Sequence, residues 1–287
     1  MALRLTLASV LALFVALSST LLAQWPSHPT PGVPRAADGK PILDAPTPRT
    51  ADGKVDFSGI WLRAGGGGGG RGRQAGAPPA PTTTPDGIPL STFGEVAGRG
   101  FALPLQPWAA DLKKRRMADN NKDNPDVWCL PIGLMQYHNH PQPRQIVQTK
   151  NLMLITYESN YGLRYIYMDG RPAPTNDPTP WWFGYSRGWF EGDTLVVETT
   201  NFRGDERAGW LDVNGSPYTD ALKMTERFRR PNFGTLEIDI TIDDAKAYTK
   251  PFTVRVNQRI MVDQEMIEFI CNENEQSSKH LEPPKKP

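Results

Sequence analysis

The chain has 287 residues, enough for one large domain or two small ones. Its 32 Lys and Arg residues nearly balance its 31 Asp and Glu residues, so the formal net charge is +1 at pH 7. This balance gives no electrostatic reason for a nucleic-acid or anionic-membrane partner, and we predict neither.

Residues 1–23 have the features of a secretory signal peptide. Arg4 supplies a positive charge, and Leu5 to Leu17 is almost entirely apolar. Cleavage is predicted after Ala23 or after Ser18, which would release the mature protein into the periplasm or the medium with no membrane span. The alternative is an uncleaved anchor, because the segment is just long enough to cross a bilayer.

The region after the leader is predicted to contain one folded domain. Residues 24–54 are rich in proline and lack an apolar period, which is typical of an extended tether. The domain should span residues 55–275, with a disordered Gly/Pro-rich insertion at 64–90 and a disordered tail at 276–287. The insertion begins with a glycine run and holds too few apolar side chains to form a core.

The local patterns inside the domain are those of β-strands, apart from a short helix at Pro107–Ala118, where proline suits the first turn. Strands are predicted at Val55–Leu62, Gln145–Thr149, Leu152–Glu158, Leu163–Met168, Thr194–Thr200, Ala221–Arg229, Leu236–Ile242, Thr253–Ile260 and Glu265–Cys271. Long helical periodicity is absent. We therefore predict an all-β fold of about eight or nine strands with one short helix, either an antiparallel barrel or a sandwich.

The two cysteines, Cys129 and Cys271, lie far apart and have no neighbouring ligands at zinc-finger spacing. In an oxidising compartment they would form one disulfide bond, which we predict. The alternative is two separate buried thiols.

Two histidines are the only candidates for metal binding. His138 and His140 are two residues apart, so an extended backbone would place both imidazoles on one face, where a nearby carboxylate could complete a divalent-metal site. The alternative is a hydrogen-bonded pair in a proline-bounded loop. We predict no cofactor, and consider a divalent metal only at this pair.

Charged residues recur among apolar ones on single strand faces. Glu158, Arg164, Glu226 and Glu268 each alternate with apolar side chains, which predicts that they point inward. A buried charge needs a partner, so we expect Arg164 and Glu226 to line one internal cavity together with the region around Trp182. The alternative is that these strands have solvent on the charged face.

Aromatic residues are concentrated between residues 165 and 190. Tyr167, Trp182 and Trp189 are therefore further candidates for contact with a ligand, since apolar walls with a few polar groups are typical of small-molecule sites. Packing in the core is the alternative explanation of so many aromatic residues.

Several motifs resemble those of a large group of uncharacterised exported proteins from environmental bacteria. They are the run from Pro48 to Trp61, Asp169-Gly170-Arg171-Pro172, and Gly192-Asp193-Thr194-Leu195-Val196-Val197-Glu198. The resemblance extends from about Pro48 to Glu273 and implies export, but no particular activity. Gly59-Ile60-Trp61 is also similar to the Gly-x-Trp motif that opens the first strand of lipocalin-like barrels.

These observations favour an exported β-barrel that binds a small, partly apolar molecule. One alternative is an extracytoplasmic hydrolase, lyase or isomerase that uses the inward Glu and Arg residues. Another is a structural envelope protein without a ligand. The sequence does not indicate the oligomeric state or the identity of the ligand.

Overall fold

The computed structural model describes residues 28–64, 81–174 and 179–273. The predicted signal peptide, most of the predicted insertion and the predicted tail lie outside these ranges. Among the described residues, no helix is both long enough and apolar enough to cross a membrane.

Nine strands form a closed barrel in which each strand pairs with the next and the last pairs with the first. The strands are β1 (Gly59–Arg63), β2 (Arg144–Gln148), β3 (Leu152–Tyr157), β4 (Leu163–Tyr167), β5 (Tyr185–Glu191), β6 (Thr194–Thr200), β7 (Lys223–Asn232), β8 (Thr235–Asp243) and β9 (Phe252–Met261). Within the described ranges the helices are α1 (Pro107–Ala118), α2 (Leu134–Asn139) and two short 3₁₀ turns, Pro125–Trp128 and Ser159–Tyr161.

The predicted all-β barrel with a short helix is confirmed. The strand pairs are antiparallel except for β4 and β5, which run parallel because the chain returns to the end where β4 began before β5 starts. Strand β5 was not predicted, since Gly188 interrupts its alternation of side chains. Gly188 lies at an inward position where a Cβ would be 3.0 Å from Ile166, so the wall is packed too closely there for a side chain.

The predicted strand at Glu265–Cys271 is wrong, because this segment forms no strand and its side chains are largely exposed. The segment follows β9 after the barrel is complete. Its end is attached to the 3₁₀ turn at Pro125–Trp128 by a disulfide bond between Cys129 and Cys271, whose Cα atoms are 5.4 Å apart. The predicted disulfide is therefore confirmed.

The barrel is closed at the end formed by the β5–β6 and β7–β8 turns. Phe57 packs there against Phe190 and Phe228, with ring centroids 6.3 and 6.1 Å away. Trp61 is buried beside it and donates its indole N–H to the Phe57 carbonyl at 2.9 Å. The described part of the predicted tether also contacts this end, since the Phe233 amide donates to the carbonyl of Ala45 at 2.8 Å.

Helix α2 closes the opposite end. All six of its residues are buried, and its side chains contact inward-facing residues of several strands. Tyr137 lies against Tyr157 of β3, with ring centroids 4.3 Å apart, and His138 lies against Phe228 of β7 at 6.2 Å. This helix brings polar groups into the barrel next to strand residues that are also polar.

Candidate functional site

An ion pair lies inside the barrel between β4 and β7. Arg164 and Glu226 are 1% and 0% exposed, as expected for inward positions on alternating strands. The Arg164 guanidinium donates from Nη1 to Glu226 Oε1 at 2.9 Å and from Nη2 to Oε2, which makes the pair bidentate. The predicted proximity of these two residues is confirmed.

Two hydroxyl groups complete the coordination of this guanidinium. Arg164 donates from Nε to Ser186 Oγ at 3.1 Å and from Nη2 to Thr199 Oγ1 at 2.8 Å. The two hydroxyls are hydrogen-bonded to each other at 2.9 Å. Every nitrogen of Arg164 thus has an acceptor, which is what allows a charge to be buried.

Helix α2 supplies the last member of the cluster. His138 Nε2 lies 2.7 Å from Glu226 Oε1, and both side chains are fully buried. We refer to His138, Arg164, Ser186, Thr199 and Glu226 as the Glu226 cluster. Since the carboxylate can only accept, we assign the proton of His138 to Nε2, which leaves Nδ1 as an acceptor with no hydrogen-bond partner.

The cluster controls the charge of its members. Burial alone would raise the pKa of Glu226, but Arg164 and the hydrogen bond from His138 outweigh it and hold the pKa at about 2. Burial lowers the pKa of His138 despite the adjacent carboxylate. At neutral pH the cluster therefore contains an ionised Glu226 and a neutral His138.

An aromatic pocket of about 370 Å³ lies on the barrel wall where β4 meets β5. The two strands pair only through Ile166–Ser186 and Tyr167–Arg187, so the ladder does not extend to the start of β4. This cavity, which we call the aromatic pocket, is lined by Pro131, Leu163, Tyr165, Tyr167, Pro180, Trp181, Trp182, Phe183, Gly184, Tyr185 and Ser186.

The aromatic pocket and the Glu226 cluster share one residue. Ser186 contributes to the pocket lining while its hydroxyl accepts from Arg164. Two cations stack on rings of the lining, with Arg171 Cζ 4.0 Å from the Tyr167 centroid and Arg203 Cζ 5.0 Å from that of Trp182. The pocket is thus lined mainly by aromatic rings, and Ser186 connects its lining to the Glu226 cluster.

The predicted candidates are only partly brought together. Tyr167 and Trp182 line the aromatic pocket, whereas Arg164 and Glu226 lie behind it and do not. The expectation that Arg164, Glu226 and the Trp182 region share one internal cavity is therefore wrong for this pocket. The reason is that outward and inward residues of β4 alternate: Tyr165 and Tyr167 face the pocket and Arg164 faces the interior.

Three other candidates lie away from both sites. The inward residues of β3 are Met153, Ile155 and Tyr157. Glu158 was therefore assigned to the wrong face, and its carboxylate accepts from the Ile267 amide at 3.1 Å. Glu268 is exposed and belongs to no strand, so its predicted inward position is also wrong. Trp189 is 43% exposed, and its indole N–H donates to Glu191 at 3.1 Å.

The two histidines do not share a face, because residues 134–139 are helical and not extended. His138 contacts Glu226, while His140 Nε2 lies 3.5 Å from Asp126. Across the described ranges, no three His, Cys, Asp or Glu side chains come together as a metal site. A divalent metal at this pair thus has no third ligand in the part of the chain described.

The roles of Ser186 and Thr199 were not recognised from the sequence. Thr199 alternates with Val197 and Leu195 in β6, which signals an inward position, but a threonine there gave no indication of a guanidinium partner. Ser186 lies in the strand that was missed. Neither residue type is rare enough in strands to mark a site.

Fold and site together define a closed nine-stranded β-barrel with a buried ionic cluster and an aromatic pocket in its wall. This chain matches no known protein-family model, no curated protein and no solved structure. The resemblance to exported proteins of environmental bacteria stays a prediction.

Proposed function

We propose that this protein is an exported binding protein that holds a small, partly apolar molecule in the aromatic pocket. The observation that carries the proposal is the shared residue Ser186, which links a pocket of about 370 Å³ to the hydrogen-bonded Glu226 cluster. This volume falls in the range typical of small-molecule sites. Arg164, Glu226 and their partners keep Ser186 in one position.

The pocket suits a planar ligand with a polar end. Trp181, Trp182 and Tyr185 offer ring faces, and Trp181 and Tyr185 lie with centroids 5.6 Å apart. The tyrosine hydroxyls of the lining can accept or donate hydrogen bonds at the edges of the ligand.

Binding without chemical change is favoured by the state of Glu226. Both of its oxygens already accept hydrogen bonds from Arg164 or His138, and its pKa of about 2 makes it a weak base at neutral pH. Its side chain has no exposed surface through which to reach a ligand.

Export is supported by the disulfide and by the signal-peptide pattern in residues 1–23. We further propose a lipocalin-like relationship on the basis of Gly59-Ile60-Trp61 in the first strand. The nine strands and the parallel β4–β5 pair distinguish this barrel from an eight-stranded antiparallel one.

The pocket can be tested with the uncharged dye Nile red, measured by its fluorescence and by quenching of tryptophan emission. We expect saturable binding that Trp182→Ala weakens at least about tenfold, because one ring face is lost (about 1.4 kcal/mol corresponds to tenfold). Trp189→Ala is the matched control, since Trp189 is exposed and outside the pocket. Equal binding by both variants would contradict the proposal, and the absence of saturable binding to the wild type would favour the structural role without a ligand.

An extracytoplasmic enzyme is the second candidate, and one observation favours it. His138 is oriented by a carboxylate through Nε2 and carries an unpartnered Nδ1, the arrangement of a general base. Mass spectrometry of compounds incubated with the protein would show a product that His138→Gln abolishes. If every compound incubated with the protein is recovered unchanged, binding alone is supported.

A further inference from the structure

Arg144, at the start of β2, is a buried cation without an anionic partner among the described residues. Its side chain is 1% exposed, and among the described residues no carboxylate lies within ion-pair distance. Its one hydrogen bond runs from Nη1 to the His138 carbonyl at 2.9 Å. Nε and Nη2 are buried and have no hydrogen-bond partner. Such a charge is strongly destabilising unless something compensates it.

The surroundings of Arg144 add positive charge and open hydrogen-bonding groups. Arg63 is half-buried at the end of β1 and is the cross-strand partner of Gln258 in β9. Burial lowers the pKa of Arg144 to about 10, to which the charge of Arg63 contributes, so the group stays cationic at neutral pH. Gln258 Oε1 is buried and has no hydrogen-bond partner among the described residues, and the buried Tyr157 hydroxyl lies near Arg164 without a hydrogen bond of good geometry.

These groups lie close together. The Gln258 amide and Arg144 Nη1 both approach the carbonyl of His138, at 3.5 and 2.9 Å. Tyr157 is the direct cross-strand neighbour of Arg144. Directly opposed residues of an antiparallel pair have Cβ atoms about 4.5–5.5 Å apart. The unpartnered atoms therefore belong to one corner of the barrel, between β9, β1, β2 and β3.

The free edge of Arg144 has a definite shape. Nε–H and Nη2–H are parallel donors, the pair that a guanidinium offers to two oxygens of one anion. Arg255 donates from the same two nitrogens to Asp239, from Nε to Oδ1 at 2.5 Å and from Nη2 to Oδ2 at 2.9 Å. The same edge of Arg144 has no such acceptor.

From this geometry we propose that the corner around Arg144 is a binding site for the oxyanion group of a small molecule, a carboxylate or a phosphate. The anion accepts from Nε and Nη2 of Arg144 and from the Tyr157 hydroxyl, and Arg63 provides long-range attraction at the barrel end. This site is separate from the aromatic pocket, which lies at β4 and β5, and goes beyond the function proposed for it.

The experiment measures the melting temperature of the full mature protein in sodium phosphate, sodium acetate and sodium chloride at equal ionic strength and pH 7.5. A ligand that binds only the native state raises the melting temperature with concentration. We expect phosphate or acetate, but not chloride, to raise it by about 5 °C or more at concentrations far above Kd. A response to phosphate alone indicates a phosphate ligand, and a response to acetate indicates a carboxylate.

Arg144→Met should abolish this response while remaining at least as stable as the wild type in chloride, because it removes an uncompensated buried charge. Arg144→Lys keeps the charge but loses the two parallel N–H donors. It should need at least about ten times more anion for the same rise in melting temperature. Arg255→Met is the matched control: it breaks a satisfied pair and should destabilise the protein while retaining the oxyanion response. Trp182→Ala should also retain it, which separates this test from that of the aromatic pocket.

Nuclear magnetic resonance of ¹⁵N-labelled arginine side chains tests the wild type directly, whether or not the variants fold. The Nε–H signal of Arg144 should shift on titration with the anion that raises the melting temperature. The proposal is overturned if neither oxyanion affects stability or this signal, if chloride acts equally, or if Arg144→Met responds like the wild type.

Discussion

Two neighbouring layers of the barrel interior, only two residues apart along β7, are held together in different ways. The Phe228 layer consists of Phe57, Phe190, Leu195, Phe228 and Ile238, and its contacts are aromatic and aliphatic. The Glu226 cluster replaces these contacts with charge-assisted hydrogen bonds. Dispersion contacts are many and small, so an apolar layer tolerates modest change, whereas a buried ionic cluster depends on every member.

The largest expected effect in this comparison follows from Glu226→Gln. The change is nearly isosteric, but it leaves Arg164 buried with no counter-charge, which costs about 3–5 kcal/mol in the free energy of unfolding. Urea unfolding of both proteins measures it. Glu198→Gln is the matched control one strand away, because Glu198 pairs with Arg187 and Lys223 on the outer face and should cost about 1 kcal/mol or less. Equal losses in the two variants would mean that the buried ion pair contributes no more to stability than the pair on the outer face.

A second expected difference is the dependence of stability on pH. The folded-state pKa values of His138 and Glu226 are both lowered, so the unfolded chain binds more protons than the native one in acid. Stability should therefore fall as pH drops below about 6.5, the ordinary pKa of histidine, and fall again below about 4.5, that of glutamate, towards pH 2. Urea midpoints between pH 8 and pH 3 measure this.

His138→Gln separates the two steps, because it removes the group responsible for the first. The loss of stability between pH 7 and pH 5 should shrink in this variant, while the loss below about pH 4.5 persists. A profile unchanged from that of the wild type would assign the first step to other groups.

The smallest effect is expected in the Phe228 layer. Ile238→Val removes one buried methyl group and should cost about 0.5–1.5 kcal/mol, with no change in the pH profile. Urea denaturation of Ile238→Val and Glu226→Gln gives the loss in free energy of unfolding for each, and hence the contrast between the two layers. A loss above about 3 kcal/mol would show that the apolar layer is as intolerant as the ionic one.

Several features of the fold were recognisable because they depend on local pattern. Helix α1 at Pro107–Ala118 and strand β6 at Thr194–Thr200 have the predicted bounds. Helix α2 was missed because it has only six residues and buries polar and apolar side chains alike, so no helical period marks it. The face of β3 was misassigned because Leu152 and Leu154 are as apolar as the inward Met153 and Ile155.

By itself, the sequence indicated an all-β fold, either a barrel or a sandwich, and inward positions for Arg164 and Glu226, because alternation along a strand is a local property. Closure of the barrel and pairing of the two cysteines are features of the tertiary structure. Tertiary structure alone decided what those charges meet. His138 reaches Glu226 across 88 positions in the sequence, and Arg164 reaches Thr199 across 35. Within the described part of the chain, the same packing leaves Arg144 without a carboxylate. No local pattern indicates this, because burial and pairing are set by strands that are distant along the chain.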